Sequence, residues 1–446
     1  MVSFRLPPRP SKRITPQLLV TSFRRKLREM KPRTTEDRNA LFVALDGATV
    51  GLASAAGAFL SVFVIRLGAD ALWVSLLSSL PALIQLTLTL PLARFVERQQ
   101  QIVKLFAWTR LLGRVNFVII SLLPFFLHNE RAAHAIVIIW GAEAVLTTVQ
   151  QLSFTLVMNR AVSRERRASQ MSGRWTAMGV LDIVSLAVAG QVLERIVFPL
   201  NYQILFFVSF LIGLLSFYAI SQVKVREEAQ APSRAPTTGP LWRRLQGSVA
   251  EIVECKPFVY FEMGRNIFWL GLSMILPLIP IYWVKHLQVS DAWVSYFSTA
   301  TTATTLFFYG FWVRMKRKHG NRRVLLVSVL GRSLYPLIVS LTRSPVAMLG
   351  AAAFHGVAFA GMNLMFFESF LDTVPRGKET RFLAVHQTVI SLTGSVGPPV
   401  GAFLLPLLGI RVTLAAGTVI ALLGLIVFVL CGVARDLPET PAPPSA

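Results

Sequence analysis

Residues 73–114 and 293–332 share one layout: an apolar stretch, a short basic loop and the start of a second apolar stretch. At a fixed offset of 220 positions, Trp73 meets Trp293, Val74 meets Val294, Ser75 meets Ser295, Ser78 meets Ser298 and Arg94 meets Arg314. Gly51 meets Gly271 and Leu52 meets Leu272 at the same offset, and Gly113-Arg114 meets Gly331-Arg332 after a two-residue shift. Coincidences of Leu or Val mean little in an apolar chain; those of Trp, Gly and Arg at loop boundaries mean more. A duplication of this period predicts two related halves that run in the same direction across a membrane.

Twelve apolar segments carry the duplication. The first half has 39–65, 71–93, 102–126, 133–159, 168–193 and 199–221; the second has 257–284, 291–313, 322–342, 345–371, 380–408 and 411–433. Each can cross about 30 Å of hydrocarbon at about 1.5 Å per helical residue. None alternates apolar and polar residues as a barrel strand would. The expected fold is an all-α membrane protein with twelve transmembrane helices in two pseudo-symmetric six-helix bundles. Pro81, Pro277, Pro280, Pro336, Pro398 and Pro399 sit in or near the segments, where a membrane helix kinks rather than ends.

The chain is 54% hydrophobic and 15% charged, against about a quarter charged in soluble domains. A net charge of +23 would point to nucleic acid in a soluble protein, but its placement argues otherwise. Of 45 Lys and Arg, 34 fall on the side of the amino terminus and six on the opposite side, one per loop. That alternation is the positive-inside pattern: both termini are expected in the cytoplasm of a multi-pass protein of the cell (inner) membrane, with no nucleic-acid partner. The parts are then a basic tail (1–38), a first bundle (39–221), a linker (222–256), a second bundle (257–434) and a disordered tail (435–446). In the basic tail Leu19, Phe23, Leu27 and Met30 share a helical face among Arg24, Arg25, Lys26 and Arg28. A helix on anionic lipid, a solvated tail and an organelle transit peptide all fit; a cleaved secretory signal is not expected. Cys255 and Cys431 supply no disulfide framework or metal spacing, and the six histidines form no HExxH motif. No cofactor and no enzymatic activity are expected.

Twelve segments in parallel repeat, a long central loop and basic loops after segments 2 and 8 resemble the major facilitator superfamily over about 40–435. Members carry a GxLaDRxGRR-type motif in those two loops. In the second half Gly310, Arg314, Gly320, Arg322 and Arg323 follow its glycines and basic pair, but Arg314 stands at the usual Asp position and the spacing is three residues longer. The first half, Pro91-Leu-Ala-Arg94 with Glu97-Arg98, is more degenerate. The residues themselves allow close helix approach at glycine, binding of helix carboxyl ends and lipid by Arg, or a topology signal alone. Gly394 to Gly401, with Gly397 and Pro398, is similar to the family's GxxxGP element, which antiporters carry in segment 5 and this chain carries in segment 11.

Ionisable residues inside the segments are the functional candidates, since each costs about 2.5–3.5 kcal/mol on insertion scales. Asp46, Arg110, Arg174, Arg265 and Glu368 lie nearer the basic side; Glu143, Asp182 and His355 lie near mid-depth, as do Arg114 and Arg332. In the superfamily, segments 1, 4, 7 and 10 line the cavity with 2, 5, 8 and 11 behind them. The resemblance therefore makes Glu143, Asp182 and His355 candidates for binding solute or proton; a static ion pair or helix–helix hydrogen bond is the alternative for each. Asp46 with Arg110 or Arg174 forms either an ion pair that breaks during a cycle or a fixed one. The repeat puts Asn266 at the Asp46 position, so the two halves differ in charge there. Thr299, Thr301, Thr302, Thr304 and Thr305 offer hydroxyls in segment 8.

These readings imply a secondary transporter of a small organic solute that works by alternating access, coupled to protons and exporting, acting as a monomer in lipid. The competing reading is a non-transporting receptor or assembly scaffold of the same fold, favoured by the degenerate loop motifs.

Overall fold

The computed structural model describes residues 34–225, 252–375 and 378–434. The basic tail to residue 33, the centre of the linker (226–251) and the carboxyl tail (435–446) lie outside them, as does the surface-helix reading of Leu19 to Met30.

Every described element is a helix. We number them α1 (Thr35–Leu52 continued by Ser54–Arg66), α2 (Ala71–Glu97), α3 (Ile102–Phe126), α4 (Asn129–Ala161), α5 (Arg164–Arg195) and α6 (Leu200–Ser221). The second set is α7 (Lys256–Ile275, Leu278–Ile281 and a π turn over Tyr282–His286), α8 (Asp291–His319), α9 (Asn321–Leu341) and α10 (Pro345–Thr373). The run Glu379–Leu430 is interrupted at Gly409, whose φ of 74° and ψ of 160° are not helical, so it makes α11 (379–408) and α12 (410–430). The described residues thus form twelve helices, with both described ends on one side, here the terminal face; the other is the far face.

Local chemistry starts these helices where the sequence changes character. Thr34 and Asp37 form a reciprocal capping box at α1. The Asp70 carboxylate caps α2 through the Trp73 N–H at 2.9 Å, and Ser344 caps α10 ahead of Pro345. Gly320, at φ 79°, closes α8 with its N–H on Lys316 O at 2.9 Å, a backbone region that disfavours any side chain. Pro81, Pro336, Pro398 and Pro399 lie inside continuous helices.

The helix pairing is itself duplicated. In the first half α1 packs on α5 and α6, α2 on α4, and α3 on α4 and α6; in the second α8 packs on α10 and α9 on α10. α7 meets α11 through Ser273 and Thr393 and α12 through Gly264 and Phe428. The halves touch along α2 with α11 and along α5 with α8. Buried rings fill each half, Phe59, Phe63, Tyr202 and Phe206 in the first and Phe258, Phe261, Phe268, Phe366 and Phe428 in the second. The outer surface is apolar as well, with Phe126, Phe307 and Phe403 exposed, as in a chain whose solvent is lipid.

Candidate functional site

Two helices carry a break. α1 is interrupted at Ala53, which frees backbone carbonyls in the middle of an apolar layer. Such groups must find donors. The Ser185 hydroxyl on α5 donates to Leu52 O at 2.6 Å. The Ser54 hydroxyl is shared between Gly51 O, 2.6 Å away, and the carboxyl of Asp182 on α5. Thr302 on α8 neighbours the same carboxyl. Asp182 therefore stands where the broken helix of the first half meets the hydroxyl-lined helix of the second, and it is half-buried.

This arrangement allows a proton to be taken up. Ser54 has one hydrogen and two acceptors in reach. With Asp182 ionised, Ser54 serves the carboxylate; with Asp182 protonated, the acid can donate to the serine oxygen and Ser54 can serve Gly51. Ser54 can thus turn its one hydrogen to either acceptor as the protonation state of Asp182 changes.

The other two mid-depth candidates have neighbours within their own halves. Glu143 on α4 lies against α3, where a Cβ on Gly113 would sit 3.2 Å from its Oε1, and Arg114 and Asn116 are its neighbours. His355 on α10 stacks on Tyr335 of α9, with ring centroids 4.2 Å apart, beside Arg332. Each stays within its own half. Arg332 is 2% exposed and lies over the Tyr335 and Phe359 rings at 5.5 and 5.9 Å, a geometry that stabilises a buried cation.

Asp46 has both arginines rather than one. It is fully buried and accepts from Arg110 at 2.9 and 3.1 Å, Arg174 at 3.0 Å and Ser216 at 2.6 Å. Arg110 also reaches Gln150 of α4 at 3.4 Å. One carboxylate thus ties α1, α3, α5 and α6 together, with α4 one step behind. Its repeat partner Asn266 donates to Glu262 Oε2 at 3.1 Å and accepts from Thr393 of α11 at 3.1 Å. Glu262 in turn bonds His386 Nδ1 of α11.

The loop-motif residues separate by role. Arg94, Arg314 and Arg323 are exposed at the terminal face, Arg322 donates to Val429 O at 3.1 Å, and Glu368 pairs with Lys316 at 2.9 Å to join α10 to α8. A Cβ on Gly310 would meet nothing within 4 Å, so close packing does not account for that glycine. Gly397 and Pro398 are buried, with Gly397 against Ser273 of α7.

The far face is latched between halves. Asp291, at the start of α8, accepts from Arg66 of α1 at 2.9 and 3.0 Å and from Tyr202 of α6 at 2.6 Å. Arg66 also donates to Val289 O at 3.2 Å, and Lys285 to Ala69 O at 3.3 Å. At the terminal face several polar contacts run within a half, among them Arg166 to Asp37, Arg38 to Gln222, Lys316 to Glu368 and Asn321 to Asp372. Sequence reading missed Arg66, Asp291 and Tyr202 because it scored each as a loop or segment end. It missed Glu262 and His386 because both fall near segment starts. The one signal for Glu262 was its place one helical turn before Asn266.

Asp291→Asn removes a charged acceptor from Arg66 and Tyr202. Losing such a bond costs about 1.5–3 kcal/mol, enough to shift a two-state equilibrium about tenfold to a hundredfold. Spin labels at positions 68 and 288, in a protein freed of Cys255 and Cys431, should show a longer distance population in the variant. An unchanged distribution would remove the latch from the account.

The family model of the Major Facilitator Superfamily matches residues 263–446. No curated protein matches the sequence. Solved structures do match in fold. A point mutant of the nucleoside transporter NupG aligns with a TM-score of 0.66 at 10% identity over 89% of this chain and 100% of that one. A D-xylose-proton symporter aligns at 0.66 and 13% over 91% and 98%. A bacterial homolog of the human lysosomal transporter Spinster, inward-facing and unoccupied, aligns at 0.65 and 12% over 90% and 97%.

Proposed function

We propose that this chain is a proton-coupled secondary transporter of the major facilitator superfamily that exports a small organic solute; the family model that matches residues 263–446 and the fold shared with transporters over about nine-tenths of the chain support the family. The observation that carries this reading is Asp182, a half-buried carboxyl at the break of α1, bonded to a Ser54 hydroxyl that can also turn to Gly51 O. The two bundles, 39–221 and 257–434, rock about the α2–α11 and α5–α8 contacts. The terminal face is read as the cytoplasmic face of the cell membrane, since the sequence assigns 34 of the 45 Lys and Arg to the loops and tails of that side. With the far face latched, the site opens to the cytoplasm. An anionic carboxyl among serine and threonine hydroxyls suits a solute that is cationic or rich in hydrogen-bond donors. A proton symporter and a nucleoside transporter among the similar folds are consistent with both parts of the proposal.

The test is flux in proteoliposomes under an imposed pH gradient, across a panel of organic cations, nucleosides and sugars. Wild type should accumulate at least one of them, and Asp182→Asn should lose about tenfold or more of the gradient-driven accumulation while inserting normally. Equal accumulation by both proteins would end the assignment of Asp182. A wild type that moves nothing on the panel would favour the receptor or scaffold reading, which the exposed Arg314 at the motif's acid position supports.

A further inference from the structure

The first half holds its buried acid with groups that cannot give up a proton. Arg110 and Arg174 both donate to Asp46, and arginine stays protonated in proteins. The second half departs from this at the equivalent place. Asn266 replaces the acid, and the acid reappears one turn earlier as Glu262, whose partner is the imidazole of His386. Imidazole does exchange its proton near neutral pH.

We infer that Glu262 and His386 form a proton-binding site of the second half, reached from the cytoplasmic side; this rests on the transporter reading above. Glu262 lies six residues inside α7, about 9 Å from its terminal-face end at about 1.5 Å per residue. Both side chains are nearly enclosed, at 10% and 12% exposure. Because a carboxylate only accepts, Nδ1 carries the hydrogen that faces Glu262, which places the ring's basic lone pair on Nε2. A proton from cytoplasmic water adds to Nε2 and gives an imidazolium beside the carboxylate. The same N–H bond breaks on release, and no other bond changes.

The surroundings fit a change of one charge. Arg265, one turn along α7, is in electrostatic reach of Glu262 and offsets it when the ring is neutral. Asn266 holds the second carboxyl oxygen, and Thr393 holds Asn266. α10 presents Phe370 to the imidazole at 4.4 Å, and α12 presents Phe428 to Phe261, which itself stacks on the ring. The charged groups of α10, Glu368 and Asp372, are engaged by Lys316 and Asn321. Lys378 and Arg381 stand at the cytoplasmic head of α11. Thr393 O also accepts from Ser273 at 3.4 Å, so the polar chain runs from His386 to the part of α7 just before its break. Protonation can in this way reach the bend of the helix.

The proton itself is the probe. Histidine-labelled protein in lipid nanodiscs is titrated by nitrogen NMR, with His386 assigned among the six histidines through His386→Gln. The wild-type ring should change protonation state reversibly over the pH range in which the protein stays folded, and Glu262→Gln should alter that response measurably. A His386 ring that keeps one protonation state over that range, or titrates identically without the Glu262 charge, overturns the proposal. The wild-type titration decides the first point even if Glu262→Gln fails to fold, and Glu262→Asp then replaces it for the second. Asp182→Asn should leave this titration unmoved. A silent His386 in a protein whose flux depends on Asp182 sinks this site alone; a titrating His386 in a protein that moves no solute sinks the transport reading alone.

Discussion

Asp46→Asn is expected to destabilise the protein by about 3–5 kcal/mol, the range for removing one partner of a buried ion pair. The cost comes less from the bond energy lost than from what is left. Two guanidiniums, donating at 2.9 to 3.1 Å to one carboxylate that is 0% exposed, would share an apolar interior with no counter-charge. Neither could deprotonate, and neither could reach lipid headgroups without unpacking the helices it joins. Heating the detergent-solubilised protein and measuring the monodisperse fraction should show a large fall in melting temperature. Replacing the whole cluster, Asp46→Asn with Arg110→Met and Arg174→Met, should recover most of the loss, because apolar groups of similar volume remove the stranded charges. A single variant as stable as wild type would mean that water reaches the cluster, and the fixed-pair reading would fall.

The crossings were legible because hydrocarbon demands it: a helix that spans must be apolar for about 20 residues, and only loops carry dense Lys and Arg. Even the α11–α12 junction at Gly409 fell between two readable segments, 380–408 and 411–433. Side-chain direction was not legible for the same reason. A helix apolar all round has no polar face to show which way a given residue points. Glu143 and His355 sit in segments that line the cavity of similar proteins, yet one turns to α3 and the other to α9. Partners far apart in sequence were equally hidden. Arg66 and Asp291 are 225 positions apart, and Glu262 and His386 are 124 apart. Each looked like an unremarkable charge at the end of a segment. Asp182 stands out in the sequence because a carboxylate in the middle of an apolar run has nowhere inexpensive to go, whichever way it faces.

Gly401→Val and Gly310→Ala should part company. Both glycines belong to elements similar to family motifs. A Cβ on Gly401 would fall 2.7 Å from the carbonyl carbon of Met274 and 3.1 Å from its Cα. These are backbone atoms of α7, immediately before its break, and no rotamer change can move them aside. Gly397, one turn earlier on α11, is in the same position, with a Cβ landing 2.8 Å from the Ser273 Cβ. Valine at 401 must therefore lever α11 away from α7. Overpacking of this kind costs about 1–3 kcal/mol or more, and here it also pulls Thr393 from Asn266 and Ser273. The expected result is poor extraction and early melting. Gly310 has open space on every side, so alanine there meets no neighbour and improves helix propensity by up to about 1 kcal/mol; its melting temperature should hold or rise. If the two variants behaved alike, α11 would not be docked on α7 as described, and the polar chain from His386 to Ser273 would lose its support.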